Sequence, residues 1–254
     1  MIIYYEDKGV IKMEFEENKE IKTCDIPYGI TDLYFGKYYD KAINKNILPK
    51  TLKKIVFGDN FNQEIYPETL PNGIDTIYFG YYFNKKINSH ILPEKLKHLT
   101  FNGEYKYPLT INTFPNNLTH LSFKYYNIEI AKNVFPETLI YLKLSIDYNY
   151  EFTNGTLPKN LIYLELGAQY SYDIKNLPET LETLYIYGNK NIIKNLPNTI
   201  KKIIFYKLEI ELNNIPLSVK NIVLINYTKN TSIYLKNLHN DCKILNKDNK
   251  EFKI

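Results

Sequence analysis

Arginine is absent from this sequence of 254 residues, and every strongly basic side chain is a lysine. Arginine provides the rigid, planar donor group that proteins use to bind phosphate, carboxylate and guanine edges through two hydrogen bonds at once. Lysine still binds phosphate as a point charge, but the net charge of +4 is modest and acidic residues occur throughout the chain. We therefore do not expect nucleic acid as a partner.

Long apolar segments and clusters of cysteine are lacking as well. No window approaches the roughly 18 consecutive apolar residues of a membrane-spanning helix, and Glu6 and Asp7 lie where a signal peptide needs apolar residues. The two cysteines, Cys24 and Cys242, are too far apart in an elongated fold to form a disulfide, which indicates reduced, structural thiols. We expect no membrane association and a cytoplasmic location.

Prolines recur through the chain at intervals of 19 to 22 residues, and each of them follows Ile, Leu or Phe. Counted from each proline, the third residue is Ile, Leu or Val, the sixth is Ile or Leu, and the eighth is Phe, Leu or Ile. Three apolar columns in register predict ten coils of a solenoid. The prolines of these coils are Pro27, Pro49, Pro71, Pro93, Pro115, Pro136, Pro158, Pro178, Pro197 and Pro216.

The spacing within each coil is typical of the strand of a leucine-rich repeat. The sixth and eighth residues point inward and the fifth and seventh point outward, so each coil adds one parallel strand to a concave sheet. Proline cannot donate a ladder hydrogen bond and belongs at the corner before the strand. After the eighth position we expect a corner with unusual φ, since that place is taken by Gly36, Gly58, Gly80 and Gly167, or by Asn102.

Coils of 19 to 22 residues leave little room for a helix in the segment that returns along the back. We therefore predict a β-dominant solenoid of the leucine-rich-repeat type, with extended or 3-10 return segments and little α-helix.

The two ends of the sequence depart from the regular coils. Near the N-terminus, apolar runs flank Asp7, Lys8 and Gly9, which predicts a β-hairpin cap. Near the C-terminus, His239 stands in the proline column and Cys242 in the third-position column, which indicates a degenerate eleventh coil with Cys242 as a small buried hydrophobic residue. The predicted single domain comprises residues 1–25 as a cap, 26–225 as ten coils, and 226–254 as the eleventh coil and C-terminal cap.

These units resemble the FNIP repeat, a leucine-rich-type repeat of slime moulds and of giant viruses that infect amoebae. The resemblance is carried by segments such as residues 48–58, which read Leu-Pro-x-x-Leu-x-x-Ile-x-Phe-Gly, and by the Phe-Asn pairs at Phe61-Asn62 and Phe83-Asn84. Most other coils lack that pair. The resemblance implies a protein-interaction role, with host proteins as targets and the host cytoplasm as location if the chain is viral.

Some members of that family carry an N-terminal F-box, a helical module that links a bound target to a ubiquitin ligase. Only residues 1–25 precede the first coil here, so we expect no F-box in this sequence.

Function on a solenoid is expected on the outward residues of the sheet, which stand about 4.8 Å apart in adjacent coils. Tyrosine supplies a large, rigid contact area with a polar tip, which is typical of binding sites. The same composition also fits a bland surface, because cross-strand stacking alone stabilises such ladders. The candidate partner-binding residues are Tyr34, Tyr78, His98, His120, Tyr141, Lys143, Tyr163, Glu165 and Tyr185.

We call the outward fifth- and seventh-position residues of all coils the outward columns, and these residues give little support for catalysis or metal binding. His98 and His120 could share a metal ion, but no further ligand falls beside them. Ser122 alternates with His120 on one strand, and nothing marks an oxyanion hole. A polysaccharide-acting enzyme needs two carboxylates about 5 to 9.5 Å apart, whereas the columns contain only Asp32 and Glu165, six coils apart.

We therefore predict a non-enzymatic protein-protein interaction module, with no cofactor and no metal, that binds a protein of unknown identity. A structural or oligomer-forming repeat protein is the alternative. The outward apolar residues Val56, Ile204 and Val223 would support such self-association.

Overall fold

In the part of the chain that the structure describes, thirteen strands form a single sheet in which every strand pairs with its neighbours in sequence order. The computed structural model describes residues 2–7, 9–187, 196–209, 211–213, 215–228, 231, 234–235 and 238–251. The strands are β1 Ile2–Asp7, β2 Val10–Phe15, β3 Asp32–Phe35, β4 Lys54–Val56, β5 Thr76–Phe79, β6 His98–Glu104, β7 His120–Tyr125, β8 Tyr141–Lys143, β9 Tyr163–Glu165, β10 Thr183–Ile186, β11 Lys202–Lys207, β12 Asn221–Asn226 and β13 Lys243–Asn246.

The return segments are irregular and rich in turns. Across the described ranges there is no α-helix, and 3-10 backbone occurs at Thr231 and at Tyr234 and Leu235. The predicted solenoid of the leucine-rich-repeat type, with one parallel strand per coil and little helix, is therefore confirmed. A helix long and apolar enough to cross a membrane is not found in the part of the chain that the structure describes.

The strands pair so that equal repeat positions stand side by side. Leu99 lies opposite Leu121 and Leu121 opposite Leu142, as the equal spacing of the columns requires. At the N-terminal end β1 and β2 are antiparallel, but β2 pairs in parallel with β3 and brings Met13 and Phe15 into the inward columns. Lys8, which follows β1 in sequence, lies outside the described residues, as do parts of the predicted eleventh coil.

Proline forms a tight turn at the entrance to each strand. Its carbonyl oxygen accepts a hydrogen bond from the backbone N–H of the third-position residue, as between Pro49 and Leu52 (3.1 Å), and the same bond occurs in all ten coils. The turn uses the carbonyl of proline and needs no donor from it. It also directs the third-position side chain inward, and Leu52 is fully buried. The strictness of that column follows from this turn.

Cys242 differs from what its position predicts. The N–H of Cys242 donates to the carbonyl of His239 (3.0 Å), which reproduces the proline turn in the degenerate coil. Cys242 is only half-buried, however, so the expectation of a buried Cys242 is wrong, and Cys24, for which burial was not predicted, is exposed. The reason is that Cys242 directly precedes β13, the last strand of the sheet in the described residues, which pairs with the preceding coil through β12.

The glycines after the strands allow adjacent coils to approach each other closely. A Cβ atom on Gly58, Gly80 or Gly167 would lie 1.9 to 2.0 Å from a backbone carbonyl oxygen of the preceding coil. None of these three has a positive φ, so the predicted position is correct but the predicted reason is wrong. Asn102 lies within β6, and Gly103 makes the close approach there.

Left-handed backbone occurs instead at the opposite corner, three residues before the proline. There φ lies between 59° and 68° in five successive coils, at Asn46, Glu68, His90, Asn112 and Asn133. Asparagine tolerates this conformation better than most residues, which explains its frequency at this corner.

Two columns of stacked aromatic rings fill the core. In the eighth-position column, the ring centroids of Phe35 and Phe57 are 5.6 Å apart and those of Phe57 and Phe79 are 5.3 Å apart. Phe57 also stacks at 4.2 Å on Phe61, which belongs to a second column formed just after each strand. This second column consists of Tyr39, Phe61, Phe83, Tyr105, Tyr126, Tyr148 and Tyr170.

The residue that follows each second-column ring forms a ladder of side-chain hydrogen bonds between coils. A side-chain oxygen of Asp40 accepts from the backbone N–H of Asn62 (2.9 Å), and that of Asn62 accepts from Asn84 (3.0 Å). Later in the chain Asn127 binds the N–H of Asn149 (3.3 Å) in the same way. The ladder thus pairs donors of the irregular return segments. It also explains why Tyr-Asn and Tyr-Asp replace Phe-Asn in several coils.

Replacing Tyr39 with phenylalanine is expected to stabilise the protein by about 1 kcal/mol, because the Tyr39 hydroxyl is fully buried and has no hydrogen-bond partner among the described residues. The matched variant Tyr126→Phe should lower the free energy of unfolding by about 1 kcal/mol, since the Tyr126 hydroxyl accepts from the backbone N–H of Leu109 (3.3 Å). Urea denaturation of both variants measures the two effects. If both variants changed the free energy of unfolding in the same direction, the assignment of an unbonded Tyr39 hydroxyl and a hydrogen-bonded Tyr126 hydroxyl would be contradicted.

Candidate functional site

Four predicted site residues stand side by side on the outward face of the sheet. His98 on β6 lies opposite His120 on β7, which lies opposite Tyr141 on β8, and Tyr141 lies opposite Tyr163 on β9. They share this face because all four occupy the fifth position of their coils. We call His98, His120, Tyr141 and Tyr163 the aromatic ladder.

The rings of the aromatic ladder stack on one another. The ring centroids are separated by 4.4 Å between His98 and His120, by 5.4 Å between His120 and Tyr141, and by 4.4 Å between Tyr141 and Tyr163. The two tyrosine rings are within 9° of parallel. Such contacts hold each ring in one orientation, so the ladder is a rigid feature of the surface.

Stacking makes the ladder less exposed than its outward direction predicts. His98 is exposed, whereas His120, Tyr141 and Tyr163 are half-buried because each ring covers a face of the next. Stacking covers ring faces rather than ring edges, and the edges carry the imidazole nitrogens and phenol hydroxyls. The ladder therefore offers hydrogen-bonding groups rather than open aromatic faces.

Glu165 is the most buried of the predicted site residues, with 8% of its surface exposed. Lys143 Nζ lies 2.7 Å from its Oε1 atom, and the Tyr163 hydroxyl donates to its Oε2 atom at 3.3 Å. Burial by itself lowers the pKa of Lys143, but the hydrogen bond and the charge of Glu165 outweigh it and the pKa is raised. Burial, together with the Glu165 charge, raises the pKa of Tyr163 far above its usual value. Both groups keep their protons at neutral pH.

The surroundings of His120 disfavour a positive charge on its ring. Burial, and secondly the neighbouring His98, lower the pKa of His120. The Nδ1 atom of His120 lies 2.9 Å from the Thr119 hydroxyl oxygen, which orients the ring. A group of three or more His, Cys, Asp or Glu side chains able to hold a metal ion is not found in the described ranges. His120 is thus a neutral hydrogen-bonding group at neutral pH.

Tyr34 and Tyr78, two further predicted residues, flank a lysine that the sequence reasoning missed. The ammonium nitrogen of Lys54 lies 5.1 Å from the ring centroid of Tyr34 and 5.3 Å from that of Tyr78, which are cation–π distances. The small side chain of Val56 stands between the two tyrosines in the seventh column. The sequence contained a signal for this contact. Tyr, Val and Tyr follow one another in the seventh column, and the small valine leaves space for the lysine that precedes it by two residues on the same strand. We call Tyr34, Lys54 and Tyr78 the lysine clamp.

Tyr185 belongs to a third cluster, with two tyrosines that lie beyond the outward columns. Its ring centroid is 5.9 Å from that of Tyr187, which stacks on Tyr206 at 4.5 Å. Tyr187 and Tyr206 occupy the position that glycine takes in other coils. The sequence signal for this cluster was the pair of tyrosines at a position that is glycine in other coils.

The geometry also bears on the alternative functions. Asp32 on β3 and Glu165 on β9 are six strands apart, or roughly 29 Å at ordinary strand spacing, which is too far for cooperative glycoside hydrolysis. Among the residues expected to support self-association, Val223 is buried, with 3% of its surface exposed. That expectation is wrong for Val223 because the end of the solenoid covers it: β13 pairs there and places Leu245 beside it.

A groove of about 880 Å³ lies at the proline corners of four N-terminal coils, away from the outward columns. It is lined by the corner residues themselves, among them Pro49, Glu68, Pro71 and His90. None of the predicted site residues lines it, so the sheet face and this groove are separate features.

Two solved structures are similar to this chain, and the first of them agrees with the architecture. The solved structure of CroV588, a novel circular LRR protein, is similar to this chain with a TM-score of 0.67 and 27% sequence identity, over 92% of this chain and 43% of that one. YopM from Yersinia enterocolitica WA-314 is similar with a TM-score of 0.47 and 16% identity, over 80% of this chain and 48% of YopM. This chain thus spans less than half of either protein. No curated protein matches the sequence significantly.

The model of the FNIP Repeat family matches four consecutive segments, residues 18–60, 61–104, 105–147 and 148–188. Each segment is about two coils long, and the last three begin at the second-column rings Phe61, Tyr105 and Tyr148. The matched segments together cover more than half of the sequence, and the chain belongs to the FNIP repeat family.

Proposed function

We propose that this protein is a non-enzymatic binding module that captures a protein partner on the outward face of its sheet, with the aromatic ladder at the centre of the contact. The observation that carries the proposal is the continuous stack of His98, His120, Tyr141 and Tyr163 beside the pair of Lys143 and Glu165. The solenoid fold supports it, because leucine-rich-type repeats typically present their sheet for protein interactions.

The physical argument rests on rigidity. A stacked tyrosine has lost most of its rotamer freedom before a partner arrives, so binding costs less conformational entropy than it does on a flexible surface. The hydroxyls of Tyr141 and Tyr163 and the imidazole edges then provide hydrogen bonds in fixed positions. Lys143 and Glu165 neutralise each other at 2.7 Å, so a partner does not have to bury an unpaired charge at this point.

For the partner we propose a host protein in the host cytoplasm. One support is the family, because FNIP repeats occur in giant viruses that infect amoebae. A second support is the outward face, which carries stacked aromatic residues but no set of catalytic groups in the outward columns. Nucleic acid is a poor candidate because the chain has no arginine and a net charge of only +4.

The test is partner capture from an amoebal lysate with the double variant Tyr141→Ser and Tyr163→Ser, followed by quantitative mass spectrometry. We expect the variant to lose at least about 90% of the specific partners, since central tyrosines contribute about 2 kcal/mol or more each at binding sites. The matched control is Tyr38→Ser with Tyr82→Ser, which removes two tyrosines that are 65% and 59% exposed and lie after the strands.

Thermal unfolding of both double variants shows whether the solenoid persists. If the folded ladder variant recovers the same partners as the wild type, the ladder is not the binding surface. Equal losses of partners in the ladder variant and the control would also contradict the proposal, because the loss would then not depend on which exposed tyrosines are removed.

A further inference from the structure

We propose that the lysine clamp is a second subsite, which binds a carboxylate of an acidic segment in the partner. The inference rests on the proposed function only for the statement that the ligand is a protein segment. Its evidence comes from β3 to β5, whereas the aromatic ladder lies on β6 to β9.

The clamp holds an ammonium group in one place. Lys54 Nζ lies 5.1 and 5.3 Å from the ring centroids of tyrosines on the two flanking strands, which stand about 10 Å apart at ordinary strand spacing. A lysine side chain on an open surface samples many rotamers. Between two rings and above Val56 it is preorganised, so a carboxylate that binds there does not have to order it.

The charge of Lys54 has no ion-pair partner in the part of the chain that the structure describes. No carboxylate of the described residues forms an ion pair with it, in contrast to Lys143, which is paired with Glu165. Asp32 stands opposite Lys54 in the strand register. The ammonium group, however, lies in the seventh column, between the rings, and not in the fifth column beside Asp32.

Protonation of the lysine is secured by its surroundings. Burial by itself lowers the pKa of Lys54, but the hydrogen bond with Tyr34 and the influence of Tyr34, Tyr78 and Asp32 outweigh it, and the pKa is raised. The clamp therefore presents a full positive charge at neutral pH.

A carboxylate fits this subsite better than a phosphate group. The clamp supplies one ammonium group and two ring walls, which matches a single negative charge on a short apolar stem. A phosphate monoester carries nearly two charges and three acceptor oxygens, and its usual sites contain several donors or an arginine. The lysine clamp contains one lysine, and the sequence contains no arginine.

Titration calorimetry with the peptide acetyl-hexaglutamate amide, at constant ionic strength, tests the subsite on the whole protein. We expect Lys54→Met to weaken binding roughly tenfold, as for the loss of a charged hydrogen bond. Methionine keeps most of the apolar stem in place. Lys53→Met is the matched control, since Lys53 is the exposed neighbour and its loss changes the net charge equally.

A second variant acts in the opposite direction. Asp32→Asn removes the nearest negative charge without removing bulk, and we expect it to strengthen binding of acetyl-hexaglutamate amide several-fold. Equal weakening by Lys54→Met and Lys53→Met would overturn the subsite, as would no effect of Asp32→Asn. Stronger competition by inorganic phosphate than by acetate at equal ionic strength would also overturn it, because the site would then prefer phosphate.

The double variant Tyr141→Ser and Tyr163→Ser separates this inference from the proposed function. It should bind acetyl-hexaglutamate amide with unchanged affinity, because it leaves the lysine clamp intact. Loss of partner capture together with unchanged peptide binding supports two separate subsites. A parallel loss of peptide binding would contradict an independent clamp.

Discussion

Replacing Gly80 with alanine is expected to lower the free energy of unfolding by about 3 kcal/mol or more. A Cβ atom at this position would lie 2.0 Å from the carbonyl oxygen of Gly58, 2.5 Å from the carbonyl carbon of Gly58 and 2.7 Å from the Cα atom of Asp59. All three atoms belong to the backbone of the preceding coil and cannot rotate away. The two coils must therefore move apart, which disturbs the stacked rings of Phe57 and Phe79 on that side of the core.

Urea denaturation followed by circular dichroism measures this effect. The matched control is Gly155→Ala, where the nearest atom to the added Cβ is 3.6 Å away and the only strain comes from a φ of +89°. We expect that variant to cost about 1 kcal/mol. Similar losses in the two variants would show that close approach between coils is not what requires glycine at position 80.

Replacing Leu121 with alanine is expected to cost about 2 to 5 kcal/mol. Leu121 is fully buried and stands between Leu99 and Leu142 in the sixth-position column. In a solenoid each coil packs on two neighbours, so a cavity at a central coil removes contacts on both sides. The rings of Phe101 and Phe123, which stack at 5.0 Å beside this column, limit how far the cavity can collapse.

The control for this variant is Ser122→Ala, the next residue on the same strand, whose side chain points outward and is half-exposed. We expect a change within about 0.5 kcal/mol. An unchanged denaturation midpoint for Leu121→Ala would contradict its place in the core. A large loss for Ser122→Ala would contradict the inward and outward assignment of β7.

The strands and their register could be predicted because the same sequence pattern recurs in ten coils. Proline, the third-position residue, and the sixth- and eighth-position residues recur at nearly constant spacing, and period two then assigns every neighbour to one face. With nearly equal coil lengths, equal positions must pair. The adjacency of His98, His120, Tyr141 and Tyr163 follows directly, and the structure confirms it.

The chemistry of the outward face was less predictable. Period two assigns Lys54 and Glu165 to the surface, but it does not state how far a long side chain leans across its neighbours. Lys54 reaches from the fifth column into the seventh because Val56 leaves space between two tyrosines. Glu165 is nearly covered because Lys143 and Tyr163 both bind it. Such contacts depend on side-chain rotamers and on three strands at once.

The sequence by itself therefore determined the solenoid, its ten coils and the side of the sheet on which each strand residue lies, since all of these follow from local periodicity. Only the tertiary structure decided why Gly58 and Gly80 are glycines, which rings stack, and that Lys54 lies between two tyrosine rings with no ion pair among the described residues. These properties arise from distances between coils that are about 20 residues apart in sequence. Local pattern sets the direction of a side chain, whereas packing between coils sets its neighbours.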